Sequence, residues 1–387
     1  MRIAMVHSSF ATRGGAERYI RDLSRDLASR GHDVRVFCRD SAQREPGDHV
    51  VGTRLSARIP AQRRLPALRK VATHLGDLAD PTGLAPRDLA DFRPDLVHVH
   101  NWQGLGVLPV ARLARRYPTC HTVHDYAICD PNNALTHWER GQPLRGLLRL
   151  RSAWVVRRLR SVTLLWPTGR TRDIVHSRVP GSSRLSGRVV PLAVRMPVRQ
   201  WPAGRPAVFL HLGALSRHKG TDMLLDAWRS VAGEIDATLL VAGDGPQRRE
   251  VEAAVRDCPS IRYLGYLDEP AKERAMSEAG WLVFPSQCPE TFGISCAEAL
   301  VAGRPIIAAE RSRPAMASDT SVVTFHDREG LSQMLRWAAR IPSDRYRKMS
   351  ASAGADGRRL DWEDHVAEVV RAYETLAAGS PTERGTP

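Results

Sequence analysis

Short strand-like runs and amphipathic helical runs alternate twice along this chain, and that doubled βαβ pattern leaves few folds open. Residues 3–7, 34–38, 96–100, 120–124 and 162–166 read as short buried strands. Residues 16–30 place Ile20, Leu23 and Leu27 on one helical face and run into Gly31, a common helix stop. A further helix is expected around 105–117. The proline-rich segment 180–206 interrupts the pattern and reads as a connection between domains. A second series follows, with strands expected at 208–212, 237–242, 261–264, 281–284 and 305–308. Residues 361–377 form a closing amphipathic helix capped by Asp361, with Val366, Val369, Val370 and Tyr373 on its apolar side. The tail after Gly379 reads as disordered. The expected architecture is α/β: two Rossmann-like doubly wound domains, 1–190 and 207–360, facing across a cleft. A linker spans 191–206, and a helix at 361–378 is free to pack back on the first domain. Ligands of such sheets sit beyond the carboxyl ends of the strands, so the strand-end loops hold the chemistry.

A chain of 387 residues is long enough for two such cores. No run of about 18 uncharged apolar residues is present, and the N-terminus lacks the pattern of a secretion signal. The six cysteines form no CxxC pair, as in a reduced, cytoplasmic protein. Charge is distributed unevenly. Residues 1–200 carry 34 basic and 16 acidic side chains, a net +18, while the remainder carries 23 and 26, a net −3. Only four of the 57 basic residues are lysine. A basic first half suits an anionic partner or surface, and it also suits an arginine-rich genome. No nucleic-acid-binding motif or aromatic stacking platform accompanies it, so no specific nucleic-acid partner is expected.

The first strand leads into Thr12-Arg13-Gly14-Gly15-Ala16-Glu17. Gly14 and Gly15 let backbone N–H groups at a helix start approach an anion. This is not a GxGxxG fingerprint, which argues against a nicotinamide or flavin. His124 and Asp125 close the 120–124 strand, where such a pair orients or polarises a hydroxyl, or where the Asp simply caps a turn. Nearby His98, His100, His121 and Cys129 lack a metal-ligand spacing, so no metal is expected. In the second half, the strand-end loop through Arg217 to Gly220 carries Lys219, which is placed to neutralise a diphosphate. The strongest element is 289–300. There Glu290 closes a loop, Thr291 and Phe292 follow, and Gly293 and Ile294 open a helix whose free N–H groups suit a phosphate. Glu298 lies one turn further in, within reach of a diol.

Taken in order, Gly14-Gly15-Ala16-Glu17, His124-Asp125, Lys219-Gly220, Gly243-Asp244-Gly245-Pro246 and the Glu290-x7-Glu298 segment resemble the retaining GT-B glycosyltransferases of family 4 (group 1) over nearly the whole chain. The resemblance implies a UDP- or GDP-type sugar donor, held mainly by the second domain, and a hydroxyl acceptor held by the first. It implies Lys219 on the diphosphate, Glu290 on sugar hydroxyls, Gly293 and Ile294 on phosphate and Glu298 on the ribose. Gly243, Tyr266 and Leu267 would lie beside the base, His124 by the donor sugar, and Gly15 by the phosphate and the acceptor entrance. Many relatives carry Gly-Arg where this chain has Gly213-Ala214, and Arg217 stands as the substitute. There is no DxD metal motif, and the family needs none; Asp244 reads as a turn residue. No cofactor is expected. Same-face attack is implied, with the departing phosphate taking the acceptor proton. A nucleotide-sugar epimerase of the same architecture is the alternative.

The densest basic run, 140–172, includes Arg145, Arg149, Arg151, Arg157, Arg158 and Arg160, interleaved with Leu147, Leu148, Leu150, Trp154 and Val155. On a helical wheel Arg145, Arg149 and Arg160 share a side, while Arg151 and Arg158 fall among apolar positions. Two readings follow: a helix packed in the first domain, or one resting on an anionic membrane surface. The second predicts a peripheral protein at the inner face of a membrane, with a lipid-linked saccharide or an envelope glycolipid as acceptor. The first leaves a small natural product.

Overall fold

A computed structural model describes residues 1–10, 14–39, 43–51, 73–78, 84–132, 135, 145–196 and 205–378. Thr12, Arg13, Arg140, positions 197–204 and the tail from Gly379 lie outside the described residues. The chain divides into two compact units. Unit one is Met1–Leu192 together with the chain from Glu363 on, and unit two is Ala193–Trp362.

Among the described residues unit one holds seven parallel strands: β1 (Arg2–His7), β2 (Asp33–Cys38), β3 (His49–Val50), β4 (Leu96–Val99), β5 (Thr119–Thr122), β6 (Thr163–Trp166) and β7 (Gly187–Val189). Their order in the sheet is β3-β2-β1-β4-β5-β6-β7. Burial on both faces explains why the strands read as continuous apolar runs: Ile3, Ala4, Met5 and Val6 are all fully buried. Helix α1 (Gly15–Ser29) buries Ile20, Leu23 and Leu27, and Gly31, at φ +84°, turns the chain out of it. Helices α2 (Val107–Leu113), α3 (Arg145–Arg158) and α4 (Gly169–Arg178) complete the numbered helices before unit two.

Unit two has the sheet order β10-β9-β8-β11-β12-β13, also parallel throughout. Its strands are β8 (Arg205–Leu212), β9 (Thr238–Ala242), β10 (Ile261–Gly265), β11 (Ala279–Phe284), β12 (Ile306–Ala309) and β13 (Val322–Phe325). Its helices are α5 (Thr221–Val231), α6 (Arg248–Asp257), α7 (Glu269–Glu278), α8 (Ile294–Val301), α9 (Arg328–Ala339) and α10 (Ser343–Arg358). The last helix, α11 (Trp362–Ala378), buries Val366, Val369 and Tyr373.

Several expectations need correction. Segment 180–206 is not all connection: Ser182–Arg184 form a 3-10 turn and Gly187–Val189 pair with β6. Three residues with Arg188 among them are too short and polar to show a buried pattern. Strand β5 ends at Thr122 rather than at 124, because the His124 N–H turns back onto the Thr122 carbonyl at 3.0 Å. In the basic run the helix stops at Arg158 and Leu159–Ser161 form a 3-10 turn, so Arg160 does not share a helical side with Arg145 and Arg149.

Candidate active site

The predicted site residues of unit two leave the carboxyl ends of four neighbouring strands, β10, β9, β8 and β11, as expected where a doubly wound sheet binds its ligand. After β8 the chain makes a 3-10 turn, Arg217–Lys219, that ends on Gly220 at φ +74°. A Cβ on Gly220 would strike the Pro285 carbonyl, so glycine lets this loop lie directly against the one after β11. The Gln287 N–H donates to the His218 carbonyl at 2.8 Å and ties the two loops together. The result is a built cluster: Lys219 Nζ donates to Glu290 Oε1 at 2.6 Å, and Ser286 Oγ donates to the same oxygen at 2.6 Å. Both partners stay partly open, with side-chain exposures of 29% and 18%. His218, beside them, is pushed down from its ordinary value by burial and by the Lys219 charge.

Gly293, at φ +85°, is the N-cap of α8, and such a backbone favours glycine. Thr291 and Ile294 are half-buried, and Phe292 is buried. One turn inside α8, Glu298 is buried and ion-paired with Lys272 of α7, which also reaches Glu269 at 3.1 Å. Two of the four lysines therefore each hold one of the two predicted glutamates. Lys272 escaped the sequence reading; the scarcity of lysine was the only signal for it. A buried carboxylate stripped of its cation is strongly unfavourable, which gives Lys272 a clear role in holding the Glu298 side chain in place.

Gly243 sits where a Cβ would strike the Gly213 carbonyl, so the loops after β8 and β9 touch backbone to backbone. Asp244 is exposed and its Oδ1 accepts from the Gly245 N–H at 2.8 Å, a turn arrangement. Tyr266 follows Gly265 at the end of β10 with its side chain 53% exposed, and Leu267 is half-buried beside it. Arg217 joins neither ion pair with the glutamates. Its side chain is 88% exposed and lies 3.9 Å from Asp222.

In unit one, Gly14 caps α1 and the Glu17 carboxylate folds back to where a Gly14 Cβ would be. The positive end of α1 is thus met by its own first-turn carboxylate, with His7 Nε2 3.7 Å from Glu17 Oε1. Gly15 begins the helix. His124 meets His100, with Nε2 3.2 Å from His100 Nδ1. The Asp125 Oδ1 accepts from the Ala127 N–H at 2.8 Å, the capping geometry, and burial pushes its carboxyl up to about 6. The rings of His98 and His100 lie side by side, with centroids 3.9 Å apart. Tyr19 and His365, absent from the sequence reading, and Tyr373, read there only as an apolar position of the closing helix, complete this polar interior.

Two parallel doubly wound sheets, of seven and six strands among the described residues, give the chain the GT-B fold of its glycosyltransferase neighbours. Residues 13–195 match the description Glycosyltransferase Family 4, and residues 206–339 match Glycosyl transferases group 1. Among relatives, the 2-deoxystreptamine N-acetyl-D-glucosaminyltransferase of Streptomyces fradiae is 30% identical, over 96% of this chain and 93% of its own. The phosphatidyl-myo-inositol mannosyltransferase of Mycobacterium leprae is 26% identical over 97% of each chain. In fold, sucrose-phosphate synthase from Thermosynechococcus elongatus superposes with a TM-score of 0.72 at 18% identity, covering 98% of this chain and 100% of that one. Anabaena Alr3699/HepE in complex with UDP-glucose gives 0.69 at 14% identity over 97% and 100%. The chain belongs to the family 4, group 1 glycosyltransferases, and it is an enzyme.

Proposed function

We propose that the enzyme moves a sugar, with retention of configuration, from a nucleoside diphosphate of the UDP or GDP type to a hydroxyl of its acceptor. The observation that carries this reading is the cluster in which Lys219, on the loop after β8, meets Glu290 and Ser286, on the loop after β11 that leads to the Gly293 cap of α8. Lys219 and the α8 N–H groups offset charge developing on a departing diphosphate, while Glu290 accepts from sugar hydroxyls. Glu298 serves the ribose, and the departing phosphate takes the acceptor proton. Support for a nucleotide donor comes from HepE, which shares the fold and is known in complexes with UDP and UDP-glucose. The relatives named above are transferases or synthases and lend no support to an epimerase. A matrix of donors and acceptors read by mass spectrometry tests the reading. Acceptor-dependent product is expected; interconversion of the donor alone would establish the epimerase instead.

We assign diphosphate neutralisation to Lys219 rather than to a divalent ion, because the chain lacks a DxD motif at a strand end. Activity should therefore survive excess chelator. Collapse on chelation and recovery with Mg²⁺ would contradict that assignment.

We infer that the acceptor is met at an anionic membrane surface. No helix among the described residues is long and apolar enough to cross a membrane, so contact would be peripheral. Helix α3 supports it. Leu148, Val155 and Val156 are buried, whereas Leu147 and Leu150 are 65% and 72% exposed beside exposed Arg149 and Arg157. Arg151 is committed inward, its Nη1 donating to the Ala127 carbonyl at 2.7 Å. An arginine near such a surface is worth about 1 kcal/mol, screened by salt. Binding to anionic vesicles at low salt is expected, with none to neutral vesicles and loss when Arg149, Arg157 and Arg160 become Glu. No sedimentation with anionic vesicles would instead mark the acceptor as a free small molecule.

A further inference from the structure

Lys272 stands in the first turn of α7 and Glu298 one turn into α8, and both side chains are almost fully buried, at 7% and 6% exposure. Lys272 Nζ donates to Glu298 Oε1. It also meets Glu269 Oε1 at 3.1 Å, a carboxylate that is 47% exposed at the start of the same helix. One ammonium therefore lies between an outer carboxylate and an inner one. A salt bridge so deep is a poor device for holding two helices together. Both charges lose their water, and apolar side chains of similar volume often serve as well or better. Helix α7 has other anchors. Ala275 and Met276 are buried, and Arg304, just beyond α8, donates from Nε to the Met276 carbonyl at 2.9 Å.

What the pair fixes is a direction. A glutamate side chain is long and has several rotamers, and a cation on one oxygen selects among them. A carboxylate accepts at about four positions, so an ammonium on Oε1 orients the group without exhausting it. The charges around Lys272 also select the ligand. Two carboxylates face one cation here, which disfavours a phosphate and suits neutral hydroxyl donors. A phosphate is better met at Lys219 and at the N-terminus of α8.

We propose that Lys272 is a positioning residue: by holding Glu298 Oε1 it aims the carboxylate at the ribose diol of the nucleotide, and so sets how strongly the enzyme distinguishes a ribose from a sugar lacking those hydroxyls. Lys272 acts through Glu298 and not on the donor itself. This inference rests on the proposed contact of Glu298 with the ribose.

Calorimetric titration of the intact protein tests it with UDP and GDP, with the 2′,3′-dideoxy form of whichever binds, and with inorganic pyrophosphate, which has the phosphates but no ribose. The wild type should bind the ribonucleotide roughly tenfold more tightly than its dideoxy form, as hydrogen bonds to a charged group warrant. Glu298→Gln should lose most of that ratio. Lys272→Met should lower it about fivefold, with the pyrophosphate Kd within about twofold of wild type. Lys272→Arg, which keeps a cation at the site, should retain most of the ratio. In Lys272→Met/Glu298→Gln the ratio should be no lower than in Glu298→Gln alone, because the two residues act as one unit. Lys272→Gln, whose amide nitrogen ends one atom short of Nζ, takes the place of the methionine variant if that one does not fold, with the same expectations. A wild-type ratio in Lys272→Met would overturn the proposal. So would a pyrophosphate affinity that falls along with the ratio, since Lys272 would then be a general support of the loops. A wild-type protein that does not distinguish the dideoxy form, or a ratio unchanged in Glu298→Gln, would instead remove Glu298 from the ribose and overturn the reading beneath the proposal.

Discussion

Lys219→Ala and Glu290→Ala are each expected to lower turnover at least tenfold. In the absence of donor the two side chains neutralise one another at 2.6 Å, with Ser286 sharing the same carboxylate oxygen. Donor binding would exchange that pair for two better matched partners, diphosphate for Lys219 and sugar hydroxyls for Glu290. A charged hydrogen bond is worth about 1.5–3 kcal/mol, which corresponds to roughly ten- to a hundredfold when it is made in the transition state. The effects should be non-additive, since removing either residue also frees the other. Glu298→Ala should behave differently and chiefly raise the donor KM, as expected of a contact to the ribose rather than to reacting atoms. Steady-state kinetics of the three variants decide the matter. Near-normal turnover in both Lys219→Ala and Glu290→Ala would remove the donor from these loops.

The second large effect is on stability in mild acid. Burial depresses His98 to about 3 and His121, His365 and His211 each to about 4, whereas the unfolded chain protonates its histidines near 6.5. As pH falls from 6.5 towards 4, the unfolded state binds protons that the folded state refuses, so stability falls with pH. Asp125 works in the opposite sense. With its folded value raised to about 6, it takes a proton on folding between 6 and 4 and returns some stability there. Over the fall from pH 6.5 to 4 each such depression corresponds to about 3 kcal/mol, and three of these histidines in unit one oppose one aspartate. The net loss is on the order of 5 kcal/mol, a large share of the 5–15 kcal/mol typical of a domain. Thermal unfolding followed from pH 8 to pH 4 should show a flat melting temperature above pH 7 and a steep decline below about 6.5. A melting temperature unchanged down to pH 4.5 would mean that these rings accept protons without unfolding the chain.

Much of this architecture is legible in the residues themselves. The strands around Ile3, Leu96 and Leu239 are buried on both faces, so they appear as apolar runs whatever their neighbours. Helix α1 is legible because Ile20, Leu23 and Leu27 recur at helical spacing before a glycine. By contrast, β13 has four residues, and α10 contains two glycines with few apolar positions. Both rely on packing that appears only in three dimensions, such as Gly357 lying against the Leu300 carbonyl. Within the candidate site, Lys219, Glu290 and Gly293 sit on loops whose position at strand ends follows from the βαβ pattern. Lys272 does not, because its meeting with Glu298 joins two helices 26 residues apart in sequence. Tyr373 and His365 are further from reach. They belong to the last helix, and no local pattern announces that they close over His98 and Tyr19 of unit one.

On the function proposed above, the strand-end loops of unit two hold the nucleotide part of the donor. Calorimetric titration of the intact protein with UDP and with GDP measures this directly, without knowledge of the sugar or the acceptor. One of the two nucleotides should bind. Its Kd should rise at least tenfold in Lys219→Ala and in Glu298→Ala and stay within twofold in His124→Ala, since no sugar is present for His124 to meet. An affinity untouched by Lys219→Ala and Glu298→Ala, or one lost in His124→Ala, would contradict the account.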